Sequence, residues 1–285
     1  MNILQEIAAS TRARVAAKKQ ALPLEQLMAE VAAGRTTIQT DNVGGITDNA
    51  TGKIPPDPVH VFPFERALRS DDIAFICEVK KASPSKGVIA QEFPYLDIAK
   101  AYASAGAAAI SVLTEPAYFL GDDHYLSEIA AAVPTPLLRK DFVVDSYMIY
   151  EAKSFGASAV LLICALLDEK TLTTYIQIAD SLGLSALIEA HDENEVTMAL
   201  AAGARIVGVN NRDLRTFQVD LSVSERLRKL VPPDVLFIAE SGIREPADVA
   251  RLRAVGVDAV LVGETLMRSA GTGGIKEALN RLRGE

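Results

Sequence analysis

The chain has 285 residues and a formal net charge of −8. That acidity argues against a nucleic-acid partner, whose phosphates attract basic faces, but leaves room for a small anion held by a local field. Hydrophobic residues at 49 % and charged residues at 23 % suit a soluble globular chain, and no apolar run approaches the roughly 18 residues of a membrane span.

Residues 1 to about 32 read as an N-terminal helix broken near Pro23, with Ile3, Leu4 and Ile7, then Leu24, Leu27, Met28 and Val31, as apolar faces. The first twenty residues carry charges throughout and lack an apolar h-region. They do not resemble a signal peptide, so the expected compartment is the cytoplasm. Residues 34–62, "GRTTIQTDNVGGITDNATGKIPPDPVHVF", are rich in Gly, Pro, Asp and Thr and read as a long mobile connector, suited to a lid.

From residue 74 a rhythm sets in. Short β-branched runs occupy 74–80, 108–114, 136–142, 158–165, 185–190, 205–210, 235–241 and 258–263. Between them lie Ala-rich segments such as "PYLDIAKAYASAG" and "DENEVTMALAAG", whose apolar residues recur at three and four, the helical spacing. Gly106, Gly156, Gly183, Gly203 and Gly256 stand where helices need a left-handed C-terminal cap. Asp145, Asp168, Asp192 and Ser222 stand at expected N-caps. Eight strand–helix units predict the α/β class and a closed (β/α)8 TIM barrel with an N-terminal helical extension. On this reading residues 1–285 form one domain, with 1–62 as extension and connector and 63–285 as the eight units. An open doubly wound sheet is the alternative. Cys77 and Cys164 fall inside apolar runs and read as buried free thiols; neither metal spacing nor a disulfide framework is present. No heptad or exposed apolar stripe stands out, which favours a monomer.

In such a barrel the functional site lies at the strands' C-terminal ends. Those ends carry groups that a core rejects: Glu78 and Lys80 after the first run, Lys140 and Asp141 after the third, Glu189 after the fifth, Asn210 and then Arg212 after the sixth, Glu240 and Ser241 after the seventh. Glu78 and Lys80 share one face of their strand. Gly242 and Gly263, in the loops after the seventh and eighth runs, suit a phosphate approached by backbone N–H groups, with the Glu264 N–H beside them. Phe119, Phe142, Pro84 and Leu214 lie just past strand ends and offer walls for a flat ring.

The stretches "EVKKASPSKG", "ISVLTEPAYFLGD", "LLRKDF", "ALIEAHDENE", "IVGVNNRDL", "IAESGI" and "LVGETLMR" together resemble the indole-3-glycerol phosphate synthase family, over nearly the whole chain. The resemblance implies ring closure of 1-(2-carboxyphenylamino)-1-deoxyribulose 5-phosphate, a substrate with anthranilate and sugar-phosphate parts, to indole-3-glycerol phosphate, carbon dioxide and water. It implies no metal or organic cofactor, and no nucleic-acid or membrane partner. By the same resemblance Lys140 is the general acid, Glu189 does proton-transfer work and Glu78 supports the site beside Lys80. Either Lys80 or Glu189 supplies the acid for dehydration. Asn210 and Arg212 orient the substrate and the carboxylates, Ser83 lies near the substrate carboxylate, and Glu240 and Ser241 come from the seventh strand. Gly242, Gly263 and Glu264 hold the phosphate; Phe119, Phe142, Pro84, Ile163 and Leu214 line the anthranilate ring. Two rivals remain: a sugar-phosphate isomerase, which would want a carboxylate or thiol base, and a barrel that binds a sugar phosphate without chemistry.

Overall fold

A computed structural model of the chain describes residues 3–34, 62–213, 216–270 and 274–285. Each of the eight apolar runs contains one strand: β1 (Ala74–Val79), β2 (Ala109–Leu113), β3 (Leu137–Lys140), β4 (Ala159–Ile163), β5 (Ser185–Ala190), β6 (Ile206–Asn210), β7 (Leu236–Glu240) and β8 (Ala259–Val262). All pair in parallel with their sequence neighbours. β1 also pairs with β8, which closes the barrel and excludes the open sheet.

Two helices precede the barrel, α1 (Ile3–Ala21) and α2 (Leu24–Ala32), and the break between them falls at Pro23. A third, α3 (Pro63–Leu68), was not expected; its six residues are too few to show a helical period. The remaining helices are α4 (Tyr95–Ser104), α5 (Asp123–Ala132), α6 (Tyr147–Ser154), α7 (Glu169–Ser181), α8 (Glu193–Ala201), α9 (Ser222–Leu227), α10 (Pro246–Ala254), α11 (Glu264–Ala270) and α12 (Ile275–Arg283). A small hairpin, Ala82–Ser83 with Gly87–Val88, follows β1. The connector expected over 34–62 and its role as a lid lie, but for Gly34 and Phe62, outside the described residues.

Side chains alternate across each strand, and two apolar clusters result. Ala74, Ile76, Leu138, Leu161, Leu187 and Ile238 point inward and fill the barrel. Phe75, Cys77, Val112, Val160, Ile188 and Phe237 point outward to the helices. Helix α3 adds Phe64 and Leu68 to the inner cluster. Its Glu65 bonds Ser185, the first residue of β5, and Arg205, just before β6. Helix α3 therefore lies at the strand starts, and the barrel's other end is left for the polar groups.

The five helix-ending glycines take positive φ, between +69° and +92°, as expected. Asp168 and Asp192 cap their helices by accepting from Thr171 and Glu195 N–H, and Asp145 accepts from Tyr147 N–H. Ser222 does not cap: it is the first residue of α9, which follows Leu221, and its N–H and hydroxyl both donate to the Asp220 carboxylate. Asp, with two acceptor oxygens, outcompetes a hydroxyl two residues away.

Asp141 also departs from expectation. One residue past β3, its side chain points away from the barrel axis and is fully buried. It accepts from Arg14 at 2.8 and 2.9 Å and from Thr114 at 2.8 Å. Helix α1 docks through this and further pairs, Lys18 with Asp123 (2.5 Å) and Glu151 (2.7 Å), and Lys19 with Asp145 (2.6 Å). The extension is thereby fastened to the second and third βα units, beside Lys140. Among the described residues no helix is long and apolar enough to cross a membrane, and no group of three or more His, Cys, Asp or Glu side chains is placed to hold a metal ion.

Candidate active site

The inward alternation that packs the barrel also selects what appears at its open end. In β1 the inward residues are Ala74, Ile76 and then Glu78; in β3, Leu138 then Lys140; in β5, Ser185, Leu187 and Glu189; in β7, Leu236, Ile238 and Glu240. Each of these strands runs apolar for one or two inward positions and then presents a charge. The result is a cup over the inner cluster, with a cavity of about 970 Å³ above it. That volume suits a ligand with one ring and a phosphorylated chain.

The charges in the cup are paired with one another. Lys140 Nζ donates to Glu240 Oε2 at 2.7 Å and lies 3.7 Å from Glu189 Oε2. Lys80 forms a close ion pair with Glu78. His191 Nε2 lies 3.4 Å from Glu189 Oε1. Three carboxylates thus face two lysines and a histidine, and such pairing is how a barrel tolerates so many ionised groups away from bulk water. Burial lowers the affinity of Lys140 for its proton, but the carboxylates of Glu240, Glu189 and Glu78 more than reverse this, and its pKa ends above that of an ordinary lysine. Burial pushes the Glu240 carboxyl up, against the pull of Lys140.

Two glycines make room for these carboxylates. A Cβ at Gly263 would overlap Glu78 Oε2 and lie 2.9 Å from Lys80 Nζ. A Cβ at Gly208, in the middle of β6, would lie 2.5 Å from Glu240 Oε1. Neither position has a left-handed backbone, so the requirement is space. Gly263→Ala is expected to leave the fold intact, because the obstructing atoms are movable side-chain ends. It should nonetheless displace the Glu78–Lys80 pair and lower kcat about tenfold or more, since ~1 Å of misplacement costs on the order of a hundredfold. Steady-state kinetics beside a thermal melt check this; unchanged kcat would contradict it.

The rim is built from loops. The carboxylate of Glu115, buried after β2, accepts from the N–H groups of Ala117, Tyr118 and Phe119 at 2.9, 2.7 and 3.1 Å and so fixes the turn that carries Phe119. Phe119 and Phe142 meet with ring centroids 5.9 Å apart. Ser83 and Pro84 of the hairpin line the same cavity, as do Ile163, Asn210 and Arg212. Asn210 Oδ1 accepts from Arg212 N–H at 3.1 Å. The same cavity is lined by Ser241, Gly242, Gly263 and Glu264, with the cations Lys86, Arg244 and Arg268. Ser241 has φ +65° and Gly242 φ +90°; a serine there is strained, as residues at functional turns often are. Glu264 opens α11, and its carboxylate is taken up by Arg268 at 2.9 Å.

The family model described as "Indole-3-glycerol phosphate synthase" matches residues 4–278. A protein of that name from Ruminiclostridium cellulolyticum is 54 % identical over 282 residues, covering 99 % of both chains. Another, from Lachnoclostridium phytofermentans, is 46 % identical over 268 residues, covering 94 % of this chain and 95 % of its own.

The chain belongs to the indole-3-glycerol phosphate synthase family.

Membership makes it a decarboxylating lyase of tryptophan biosynthesis. Among solved structures, a mutant tryptophan synthase alpha-subunit from Pyrococcus furiosus superposes with a TM-score of 0.57 at 16 % identity, covering 75 % of this chain and 99 % of that one. A mandelate oxidase variant does so at 0.57 and 19 %, covering 75 % and 72 %. At such identities the likeness is one of fold.

Every site residue expected from the sequence that is among the described residues lines this same cavity: Glu78, Lys80, Ser83, Pro84, Phe119, Lys140, Phe142, Ile163, Glu189, Asn210, Arg212, Glu240, Ser241, Gly242, Gly263 and Glu264. Leu214 lies outside the described residues. Sequence reasoning missed Glu115, His191 and Gly208. His191 follows Glu189 by two, the same spacing that marked Lys80 after Glu78. A glycine inside a strand signals a close approach, and Gly208 fits that signal.

Proposed function

We propose that the cup performs the family's ring closure with Lys140 as the general acid. The substrate's carboxylate-bearing aryl carbon attacks the sugar ketone, an alkoxide develops, and Lys140 gives it a proton. Loss of carbon dioxide restores aromaticity, and loss of water completes the indole. The single observation that carries this reading is the position of Lys140: its ammonium, clamped by Glu240 and Glu189, is 13 % exposed and looks into the cavity. The raised pKa keeps it charged at neutral pH. It is therefore loaded in the resting enzyme, and the alkoxide, a far stronger base than an amine, draws the proton off.

Glu189 serves proton transfer, Glu78 holds Lys80, and Lys80 or Glu189 protonates the departing hydroxyl. Asn210 and Arg212 orient the substrate and the carboxylates. Ser83 sits by the substrate's carboxylate, and Glu240 and Ser241 complete the seventh-strand wall. Phe119, Phe142, Pro84 and Ile163 enclose the anthranilate ring. Gly242, Gly263 and Glu264 offer backbone N–H groups to the phosphate, supported by the nearby Lys86, Arg244 and Arg268. A single chain supplies all of these groups, so a cytoplasmic monomer suffices, and the chemistry asks for no cofactor.

The isomerase reading loses its thiol: Cys77 points away from the cup into the outer cluster, and burial pushes its pKa up to about 12. The test is incubation of the purified protein with 1-(2-carboxyphenylamino)-1-deoxyribulose 5-phosphate. Growth of indole fluorescence is the expected result; binding without turnover would favour the non-catalytic barrel.

A further inference from the structure

Beside Glu189 stands a histidine that the mechanism above does not use. His191 Nε2 is buried, makes no hydrogen bond and faces Glu189 Oε1 at 3.4 Å. Its Nδ1 lies 3.1 Å from Glu195 Oε2, and the same oxygen accepts the His191 backbone N–H at 2.8 Å. Glu195 is fixed in turn, because it occupies the first turn of α8 and its own N–H donates to the N-cap Asp192. The backbone N–H holds the Glu195 oxygen in place, the ring contacts that oxygen through Nδ1, and Nε2 is left facing Glu189. The charged and titratable groups around this pair are Lys140 from β3, Glu240 from β7, Glu195 and Asp192 from α8, and Cys164 just after β4.

We propose that His191, held as an imidazolium by Glu195, is a positioning residue that keeps the Glu189 carboxylate turned toward Lys140 and the ligand. The inference rests on Glu189 accepting a proton in the work assigned above, with Lys80 as the acid of dehydration. Two observations support the charge on the ring. Both ring nitrogens face carboxylate oxygens, Nδ1 that of Glu195 at 3.1 Å and Nε2 that of Glu189 at 3.4 Å, an arrangement that suits a ring protonated on both. Burial alone would discharge the imidazole, but Glu195, Glu189 and Glu240 outweigh it and raise its pKa to about 9. Lys140 Nζ at 3.7 Å and His191 Nε2 at 3.4 Å then address different oxygens of Glu189. The carboxylate is gripped from both sides and cannot swing out of the cup without parting two opposite charges.

The experiment is the pH dependence of kcat and KM for the wild type, His191→Gln, His191→Lys and Glu195→Gln. A carboxylate that loses a cation at this range holds its proton more tightly, by one unit or more. For His191→Gln the acid limb of kcat is therefore expected to move about one pH unit upward. kcat at neutral pH should fall about tenfold, and KM should stay within about twofold. His191→Lys restores a cation and should return the limb toward its wild-type place. Glu195→Gln keeps an acceptor for the backbone N–H but removes the charge that holds the imidazolium; it should shift the limb in the same direction by less. Its partly exposed site also makes it the variant to rely on if His191→Gln does not fold. Acid limbs that superimpose on the wild type in His191→Gln and Glu195→Gln, or a loss confined to KM, would overturn the positioning role while leaving the ring-closure reading intact. A wild type that forms no indole would overturn that reading, and this inference with it.

Discussion

Lys140→Ala is expected to lose at least about a hundredfold in turnover, the low end for removing a general acid, while substrate still binds. The split between kcat and binding follows from the geometry. The ring walls, Phe119 and Phe142, and the cationic side with Lys86, Arg244 and Arg268 do not depend on Lys140 for their positions, so most of the contact surface survives. What disappears is the proton donor, together with the counter-charge that lies 2.7 Å from Glu240 and 3.7 Å from Glu189. Glu240, already pushed toward its neutral form by burial, should then take up a proton. Its neutral carboxyl is a poor substitute donor, since nothing places it at the ketone. Lys140→Arg is the sharper variant: it keeps the charge, but an arginine does not give up its proton in proteins. Stopped-flow fluorescence for binding beside steady-state turnover measures both quantities. Unimpaired turnover in Lys140→Ala would remove the assignment.

The largest expected effect on stability lies one residue earlier. Arg139 points outward from β3 as Lys140 points inward, and its side chain is fully buried. Its donors are all engaged: Nη2 with Asp123 at 2.7 Å, Nη1 with the Met148 carbonyl at 2.8 Å and with Glu151 at 3.2 Å, and Nε with Thr114 at 3.3 Å. Arg139→Leu fills much of the volume but leaves the Asp123 and Glu151 carboxylates with Lys18 as their remaining paired cation. Breaking one side of a buried pair costs about 3–5 kcal/mol, and that is the loss expected here. Guanidinium unfolding midpoints of wild type and variant provide the test, and a change below about 1 kcal/mol would contradict it. The same network docks α1, so the variant should also loosen the N-terminal helix.

These two neighbours show what a sequence makes legible. "LLRKDF" reads as a strand ending in charge, and alternation says that adjacent side chains face opposite ways. Alternation alone does not say which of Arg139, Lys140 and Asp141 faces the cup. Only closure of the barrel, which sends Leu138 inward, turns Lys140 into the cup and the other two toward the docking of α1. The eight strands were legible because apolar runs bounded by glycine and aspartate repeat eight times. Helix α3 and the hairpin after β1 were not, since elements of two to six residues carry no period to detect. Glu115 escaped notice because its contacts are with the backbone of its own turn, which leaves no pattern in side-chain type. The competition for the charge of Lys140 could not be settled from residue identities. Three carboxylates and burial pull in opposite senses, and the outcome depends on distances of 2.7 and 3.7 Å.

Gly208 and Gly263 carry a further consequence. They hold no proton, bind through no side chain and adopt no backbone shape forbidden to alanine, yet Glu240 and Glu78 occupy the volume where their methyl groups would be. The acidity of this barrel is thus set partly by vacancy. A survey of tolerated substitutions should find both sites nearly as unforgiving as the lysines, and a search limited to reactive side chains would overlook them.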